Sequence, residues 1–403
     1  MLERIEIENL GAIQKTSVSL GPLTVLVGAN ASGKTTVMRG IELFAALRQK
    51  PLQEISYATH SLMGPTWPTI LHGGISTKHL VFRGFTLPES AEPDYELHLG
   101  INWDRWSKNI LEQTDAAIEE PELLFERLRD PHGGWIEAGI GGRFSIRSRA
   151  FAPPVPRHDS IVRLISRLSH MPNFQPKLAD LSDFVDSLGT ARYFRPNSEA
   201  MLTLTGEDRV LPGGEGFIAA LAALQNRELE RFIAIEEHLR GLFPHIRRIR
   251  FDVNKGVRTL VFDTERSRQL TPADMEADGV LTTLFLLWAG ATTPPHGTLL
   301  IDEPEAALHP HLMGRRIDFL RALANGDFTG HPLRVVVATQ SVDFVRWLET
   351  SELRVVEYGL KTGTLVHAIP DSETLRALTD KFQANAGDLW YSGAIGGTPG
   401  TEE

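Results

Sequence analysis

An α/β fold is what the sequence predicts: a mixed central sheet, an antiparallel β portion and an inserted, mainly helical lobe. Three observations carry this. Leu23-Thr24-Val25-Leu26-Val27 is an apolar run that enters a Gly-rich loop and is followed by a helix-compatible segment, Val37 to Arg48. Far along the chain, Thr298-Leu299-Leu300-Ile301 is a second short apolar run, ending in Asp302-Glu303-Pro304-Glu305. Continuous apolar runs of this kind read as parallel strands buried on both faces. Between them, His79 to Phe85 and Tyr95 to Ile101 alternate with period two across a Pro/Glu/Ser loop, which predicts an antiparallel hairpin.

Residues 1–20 read as strand, turn and strand. The alternation of Ile5 and Ile7 with Glu6 and Glu8 is a strand pattern and not a signal peptide. The loop Gly28-Ala29-Asn30-Ala31-Ser32-Gly33-Lys34-Thr35 then has the Gly-x-x-x-x-Gly-Lys-Thr spacing of a phosphate-binding loop, between a strand and a helix as such a loop requires. Its glycines let successive backbone N–H groups turn inward, and the helix N-terminus adds partial positive charge at the same place. Lys34 can reach the β- and γ-phosphates of ATP and the Thr35 hydroxyl can ligate Mg²⁺; Thr36 extends the set. Ligands in open α/β sheets sit beyond the carboxyl ends of the strands, so both motifs point to one sheet edge. There Asp302 would hold magnesium, directly or through water, and Glu303 would polarise the attacking water. Glu305 reads as an ordinary first-turn acid.

The remaining elements follow in order. Residues 105–205 carry Gly-Gly pairs at 133–134 and 141–142 and a Pro-rich break at 153–156, and read as an insertion lobe. They separate an N-terminal half, 1–104, from a C-terminal half, 206–403. Residues 216–242 place Phe217, Ile218, Leu221, Leu224, Leu229, Phe232, Ile233, Ile235 and Leu239 at helical spacings and predict one amphipathic helix. A hairpin follows, Ile246 to Val253 and Thr259 to Phe262, turning at Asn254-Lys255-Gly256. The region 280–289 reads helical and Arg334–Ala338 reads as a strand. No fixed-period repeat and no heptad run long enough for a projecting coiled coil occurs.

Composition narrows the classes. The chain of 403 residues has no cysteine, which rules out disulfides, thiol catalysis and zinc–thiolate sites and fits a reducing compartment. No apolar run reaches the roughly 18–20 residues needed to span a bilayer, so no membrane is expected and the location is expected to be cytoplasmic. A net charge of −10 argues against a surface coated in nucleic-acid-binding charge, though a local patch can still bind.

Beyond these motifs, Met275-Glu276-Ala277-Asp278-Gly279-Val280 precedes the apolar helix, and Val335-Val336-Val337-Ala338-Thr339-Gln340-Ser341 is an apolar strand ending in polar residues. With the P-loop and the acidic strand end, the chain resembles the ABC-type ATPase heads. It is most similar to stand-alone AAA-type ATPases related to the OLD (overcoming-lysogenization-defect) family and to the heads of chromosome-maintenance and recombination ATPases. The resemblance covers 1–48 and about 205–350. It implies that Ala277-Asp278-Gly279 is a signature loop capping the ATP of the opposite subunit, that Asp302-Glu303 ends a Walker B strand, and that Gln340 stands where a switch histidine usually lies. Taken alone, the same three residues are a helix N-cap. The resemblance therefore implies a homodimer sandwiching two nucleotides. Ala277 stands where the family carries serine, leaving backbone donors only, and Gln340 can donate a hydrogen bond but cannot titrate as histidine does. Ala31 replaces a common P-loop glycine, with little consequence expected. Slow hydrolysis is expected. The Q-loop glutamine has only Gln49, Gln53 and Gln113 as candidates.

Basic residues cluster at Arg143, Arg147, Arg149, Arg157, Arg163 and Arg167, and again at Arg247, Arg248, Arg250, Lys255 and Arg258. They are either solvated, salt-bridged faces or contacts to DNA or an acidic partner. His309 and His311 read as helix-start polar residues, and Trp390-Tyr391 as a docking segment. Three functions compete. The first is an ATP-gated dimer that switches a nucleic-acid-directed effector in anti-phage defence or repair. The second, a transporter subunit, is disfavoured by the lobe and the Ala-Asp-Gly signature. The third is a nucleotide-regulated scaffold with little turnover. The last 50 residues are too short for a metal-nuclease domain, which places any cutting in a separate partner protein.

Overall fold

The structure is a computed structural model that describes residues 2–49, 79–100, 122–129, 135–139, 144–146, 165, 185–186, 189–203, 210–254, 257–369 and 385–396. In chain order the strands are β1 Arg4–Leu10, β2 Ile13–Ser19, β3 Leu23–Val27, β4 His79–Phe85, β5 Tyr95–Gly100, β6 Glu122–Arg129, β7 Trp135–Gly139, β8 Phe144–Ile146 and β9 Ala191–Phe194. They continue with β10 Ile246–Asn254, β11 Val257–Thr264, β12 Thr271–Pro272, β13 Thr298–Asp302, β14 Arg334–Thr339, β15 Leu353–Gly359 and β16 Gly363–Ala368. Thirteen of them form one mixed sheet in the order β8-β7-β6-β5-β4-β1-β2-β16-β15-β3-β14-β13-β9. The remaining three, β10-β11-β12, form a separate antiparallel sheet.

The large sheet has two halves with different chemistry. β15, β3, β14, β13 and β9 run parallel. Every residue of β3, β13 and β14 is buried, as two-sided coverage demands. Alternate side chains of the same strands enter opposite cores. Val25, Val27, Leu299, Ile301, Val335 and Val337 face a core built with the helix Asp278–Ala291, whereas Leu26, Leu300, Val336 and Ala338 face one with Val37, Met38, Ile41 and Phe44 of the helix Lys34–Gln49. In the helix Asp278–Ala291 every residue from Gly279 onward is buried, which explains why its sequence is apolar all round. Phe285 is its centre, with the rings of Phe194 and Phe217 each 5.1 Å away, centroid to centroid.

The antiparallel half runs from β8 to β2, and from β6 to β2 its described residues show one covered face and one polar face. Across the polar face runs a ladder of charge: Lys15 on Glu8 at 2.8 Å, Glu8 on Arg83 at 2.5 Å, Arg83 on Glu96 at 2.8 Å, and Glu96 on Arg127 at 3.1 Å. Such cross-strand pairs tie five strands edge to edge. Hydrogen bonding from His98, helped by Arg83, holds the Glu96 carboxyl down at about 2.

Two expectations change. The span 105–205 was expected to be mainly helical, but its described residues lie mostly in strands. β6, β7 and β8 extend the ladder beyond β5, so the boundary expected at 104 falls inside one continuous run of strand pairing. β9 belongs to the parallel half, beside β13. Ser198–Met201 is a short helix, and the arginines from 143 to 167 lie outside the described residues. The single helix expected over 216–242 is two, Phe217–Arg227 and Leu229–Leu242, broken at Glu228 (φ −138°, ψ 62°). Neither Pro nor Gly causes the break. The first helix packs on β11 and the second along the helix Asp278–Ala291, so tertiary packing overrides an unbroken apolar stripe. The hairpins expected at 79–101 and 246–262 are present as β4–β5 and β10–β11. Among the described residues no helix is long and apolar enough to cross a membrane.

Two outcomes follow from this packing. Phe285→Ala should cost about 3–5 kcal/mol in urea unfolding, because its three ring neighbours cannot collapse into the space left. For Glu96 the folded pKa lies below the ordinary 4.5, so its stabilisation is complete above that value and is lost as pH falls from there toward 2. Glu96→Gln should therefore flatten the pH dependence of the melting temperature across that window, and an unchanged slope would contradict the assignment.

Candidate nucleotide-binding site

The register of the parallel half brings distant segments level. Thr339 pairs with Val27, and Ala338 pairs with both Leu26 and Asp302, so β3, β14 and β13 end at one edge. There the Thr35 hydroxyl donates to Asp302 Oδ2 at 2.8 Å across 267 residues of sequence. Tyr193, on β9, donates its hydroxyl to the same oxygen at 2.8 Å. Burial, reinforced by the Asp302 charge, pushes the Tyr193 phenol well above its usual range, so it stays a donor. Lys34 folds back, with Nζ donating to the Gly28 and Ala29 carbonyls at 2.8 Å each. Burial lowers the Lys34 pKa, opposed by the carboxylates of Asp302, Glu303 and Glu305.

These groups line a cleft of about 290 Å³ into which Asn30, Ala31, Gly33, Lys34, Thr35, Thr36, Asp302, Glu303, Thr339 and Gln340 all project, with Ala12 and Arg195. Gly28 and Ser32 lie beneath it. A β-carbon on Gly28 would meet the Val356 carbonyl at 2.3 Å, and one on Gly33 (φ +100°) would meet Thr364 Oγ1 at 2.1 Å. Thr364 in turn donates to the Ser32 carbonyl at 2.9 Å. The β15–β16 hairpin thus braces the loop from behind and excludes any larger residue at either glycine. Ala31 was expected to matter little, yet it sits at φ +62°, in the left-handed region that disfavours a β-carbon.

The donor set fits a magnesium nucleotide. An ammonium, the unpaired first-turn N–H groups of the helix from Lys34, and a hydroxyl–carboxylate pair of hard oxygens face one space. Thr35 Oγ1 and Asp302 would hold the ion.

Glu303 lies just past β13 with φ +55°, fixed by its N–H on the Ala338 carbonyl at 2.8 Å. Strain of this kind gathers at functional sites. Its Oε2 accepts from Arg195 Nη2 at 2.7 Å and its Oε1 from Gln340 Nε2 at 3.3 Å. Arg195 and Tyr193 were not singled out from sequence. The available signal was Arg192-Tyr193-Phe194-Arg195-Pro196, a short strand-like run halted by proline. Gln53 and Gln113 lie outside the described residues, as does the side chain of Gln49.

Glu305 departs from its expected role. The chain after Asp302 does not enter a helix but turns, with Ala307 at φ +61°, and the helix begins only at Met313. Glu305 is half-buried, accepts from the Thr339 hydroxyl, and is pushed up in pKa chiefly by desolvation. Beside it Arg316 is fully buried, donating to the Pro304 carbonyl at 2.9 Å and to Thr283 Oγ1 at 2.6 Å. Thr283 donates to the Gly279 carbonyl at 2.6 Å.

Ala277, Asp278 and Gly279 are not brought to the cleft. Ala277 is the N-cap and Asp278 the first residue of the helix Asp278–Ala291, and Gly279 abuts the Ala307 carbonyl. His309 caps the short turn Pro310–Leu312, and among the described residues no cluster suited to a metal occurs. Arg247 pairs with Asp263 and Arg248 with Glu236, so two of the four described members of that basic cluster are neutralised; Lys255 lies outside the described residues. Trp390 is buried and Tyr391 exposed, so only the latter is free to dock.

A 43-residue stretch is 44% identical to the OLD nuclease of Thermus scotoductus, covering 11% of this chain and 8% of that protein. The match thus spans less than a tenth of that relative's length. Among solved structures, the Smc head domain with an extended coiled coil bound to the C-terminal domain of ScpA, derived from Pyrococcus furiosus, is 11% identical with a TM-score of 0.44, over 95% of this chain and 99% of that one. The SMC head domain from Thermotoga maritima is 11% identical with a TM-score of 0.39, over 92% and 99%. Residues 23–346 match the family described as "AAA domain, putative AbiEii toxin, Type IV TA system". That span is most of the chain and contains both the lysine-bearing loop and the acidic strand end, and the protein belongs to this AAA-domain family.

Proposed function

We propose that the chain binds magnesium–ATP in this cleft, hydrolyses it slowly, and acts as an ATP-sandwiched homodimer that switches a nucleic-acid-directed effector carried by a separate protein, in a defence setting. The observation that carries the ATP reading is the hydrogen bond from Thr35 to Asp302, which joins the two motifs in one site. The family's description, with its toxin of a type IV TA system, supports the defence setting, and the OLD nuclease relative supports an effector that acts on nucleic acid.

Each residue has a task. Lys34 exchanges the Gly28 and Ala29 carbonyls for phosphate oxygens, and the loop N–H groups take the rest. Thr35 and Asp302 would hold magnesium, which would supply positive charge to the phosphates. Glu303 accepts a proton from water as the new O–P bond forms and the bridging bond to ADP breaks. Gln340 orients Glu303 and the water by hydrogen bonding. Ala277, Asp278 and Gly279 lie outside the cleft of their own subunit, which leaves them to a second subunit's nucleotide, through N–H groups alone. DNA remains a candidate ligand of Arg250 and Arg258, which form no ion pair among the described residues.

Lys34→Ala should weaken ATP binding roughly 10- to 100-fold in calorimetry, the range of a lost charged hydrogen bond of about 1.5–3 kcal/mol. Glu303→Gln should bind ATP yet release phosphate about 10²- to 10⁴-fold more slowly. The same variant should shift from monomer to dimer mass on adding ATP in size-exclusion chromatography with light scattering. A mass indifferent to ATP would remove the sandwich, and phosphate release equal to wild type would remove Glu303 as base.

A further inference from the structure

A cation occupies the acid that the hydrolysis needs. Arg195 follows β9, whose last pair is Phe194 with Ile301, so Arg195 and Asp302 emerge side by side at the carboxyl edge. Its backbone is anchored, with N–H on the Pro212 carbonyl at 2.8 Å, and the next turn is tied by Asn197 N–H on the Gly213 carbonyl at 2.9 Å. Its side chain is not anchored in the same way: 58% of it is exposed, and its ion pair is with Glu303. With Gln340 on the other oxygen, both oxygens of the Glu303 carboxylate are engaged by donors, so neither is free to face an attacking water as it stands. An ion pair this exposed is weak. A terminal phosphate in the same cleft offers more negative charge and several oxygens that a planar guanidinium can grip two at a time.

We infer that Arg195 is a terminal-phosphate sensor: without nucleotide it caps Glu303, and with a triphosphate bound it transfers its guanidinium from Glu303 to the terminal phosphate, so that the carboxylate is released for catalysis only when ATP is present. This rests on the ATP reading above. It assigns the discrimination between ATP and ADP to a residue of the same subunit. Lys34 serves the β-phosphate of either nucleotide, so its contact is shared between ATP and ADP in part.

The test is equilibrium binding of a non-hydrolysable ATP analogue and of ADP, each with magnesium, by calorimetry on the full chain. Wild type should prefer the triphosphate. Arg195→Ala should weaken the analogue about tenfold, equivalent to roughly 1.4 kcal/mol, while ADP affinity stays within about twofold. Arg195→Lys should recover part of the loss, keeping charge without the fork. Unchanged ADP binding also certifies the fold of each variant, and if the alanine form does not fold, Arg195→Gln carries the same comparison. Equal weakening of both nucleotides, or no weakening of either, overturns the sensor while leaving the ATP site intact. Failure of wild type to bind either nucleotide overturns the site itself.

Discussion

Parallel pairing of β3, β14 and β13 is the constraint on which the rest depends. It sets three strand ends level and so creates a shared edge from segments that are far apart in sequence. The entropy of closing so long a loop rises only with the logarithm of its length, so the large intervening insertion is thermodynamically tolerable. The return is burial: every residue of these strands is out of water, with alternate side chains committed to two separate cores. A register slip of one residue would exchange the two cores and separate Thr35 from Asp302. Fold stability and site assembly are therefore one property.

That rigidity lets the edge hold unfavourable backbone. Ala31, Glu303 and Ala307 all have left-handed φ without being glycine, and all lie in the loops leaving β3 and β13. Each costs on the order of 1–2 kcal/mol. The costs are sustained because the loops have no alternative path: the P-loop is wedged against Thr364 and Val356, and Glu303 is pinned to β14 by its N–H on Ala338. The consequence is orientation. Glu303 is aimed into the cleft rather than along the following turn.

A buried polar chain links the cleft to the start of the helix Asp278–Ala291. From the Gly279 carbonyl it passes through Thr283 to Arg316, then to the Pro304 carbonyl, beside Glu305 and its Thr339 hydroxyl partner. A fully buried guanidinium is tolerable only while its donors are satisfied. The chain therefore fixes the Ala277–Gly279 turn against the segment that follows Asp302.

The sequence by itself determined the strands that are apolar on both faces, the lysine-bearing loop, and the acids beyond Ile301, because each is a local pattern with a local physical cause. It also determined the β4–β5 and β10–β11 hairpins from period-two alternation. It did not reveal that β6 to β8 continue the antiparallel ladder, since strand partnership is a non-local choice among similar runs. The break at Glu228 was hidden because the apolar stripe stays in phase across it and only packing redirects the chain. Glu305 looked like a helix acid because nothing local shows that the chain turns at Ala307. Arg195 and Tyr193 were invisible as site residues for the same reason: an arginine beyond a short strand means nothing until pairing with β13 sets that strand at the edge. What tertiary structure decided was adjacency, which depends on register between distant strands and has no signature in any single stretch of chain.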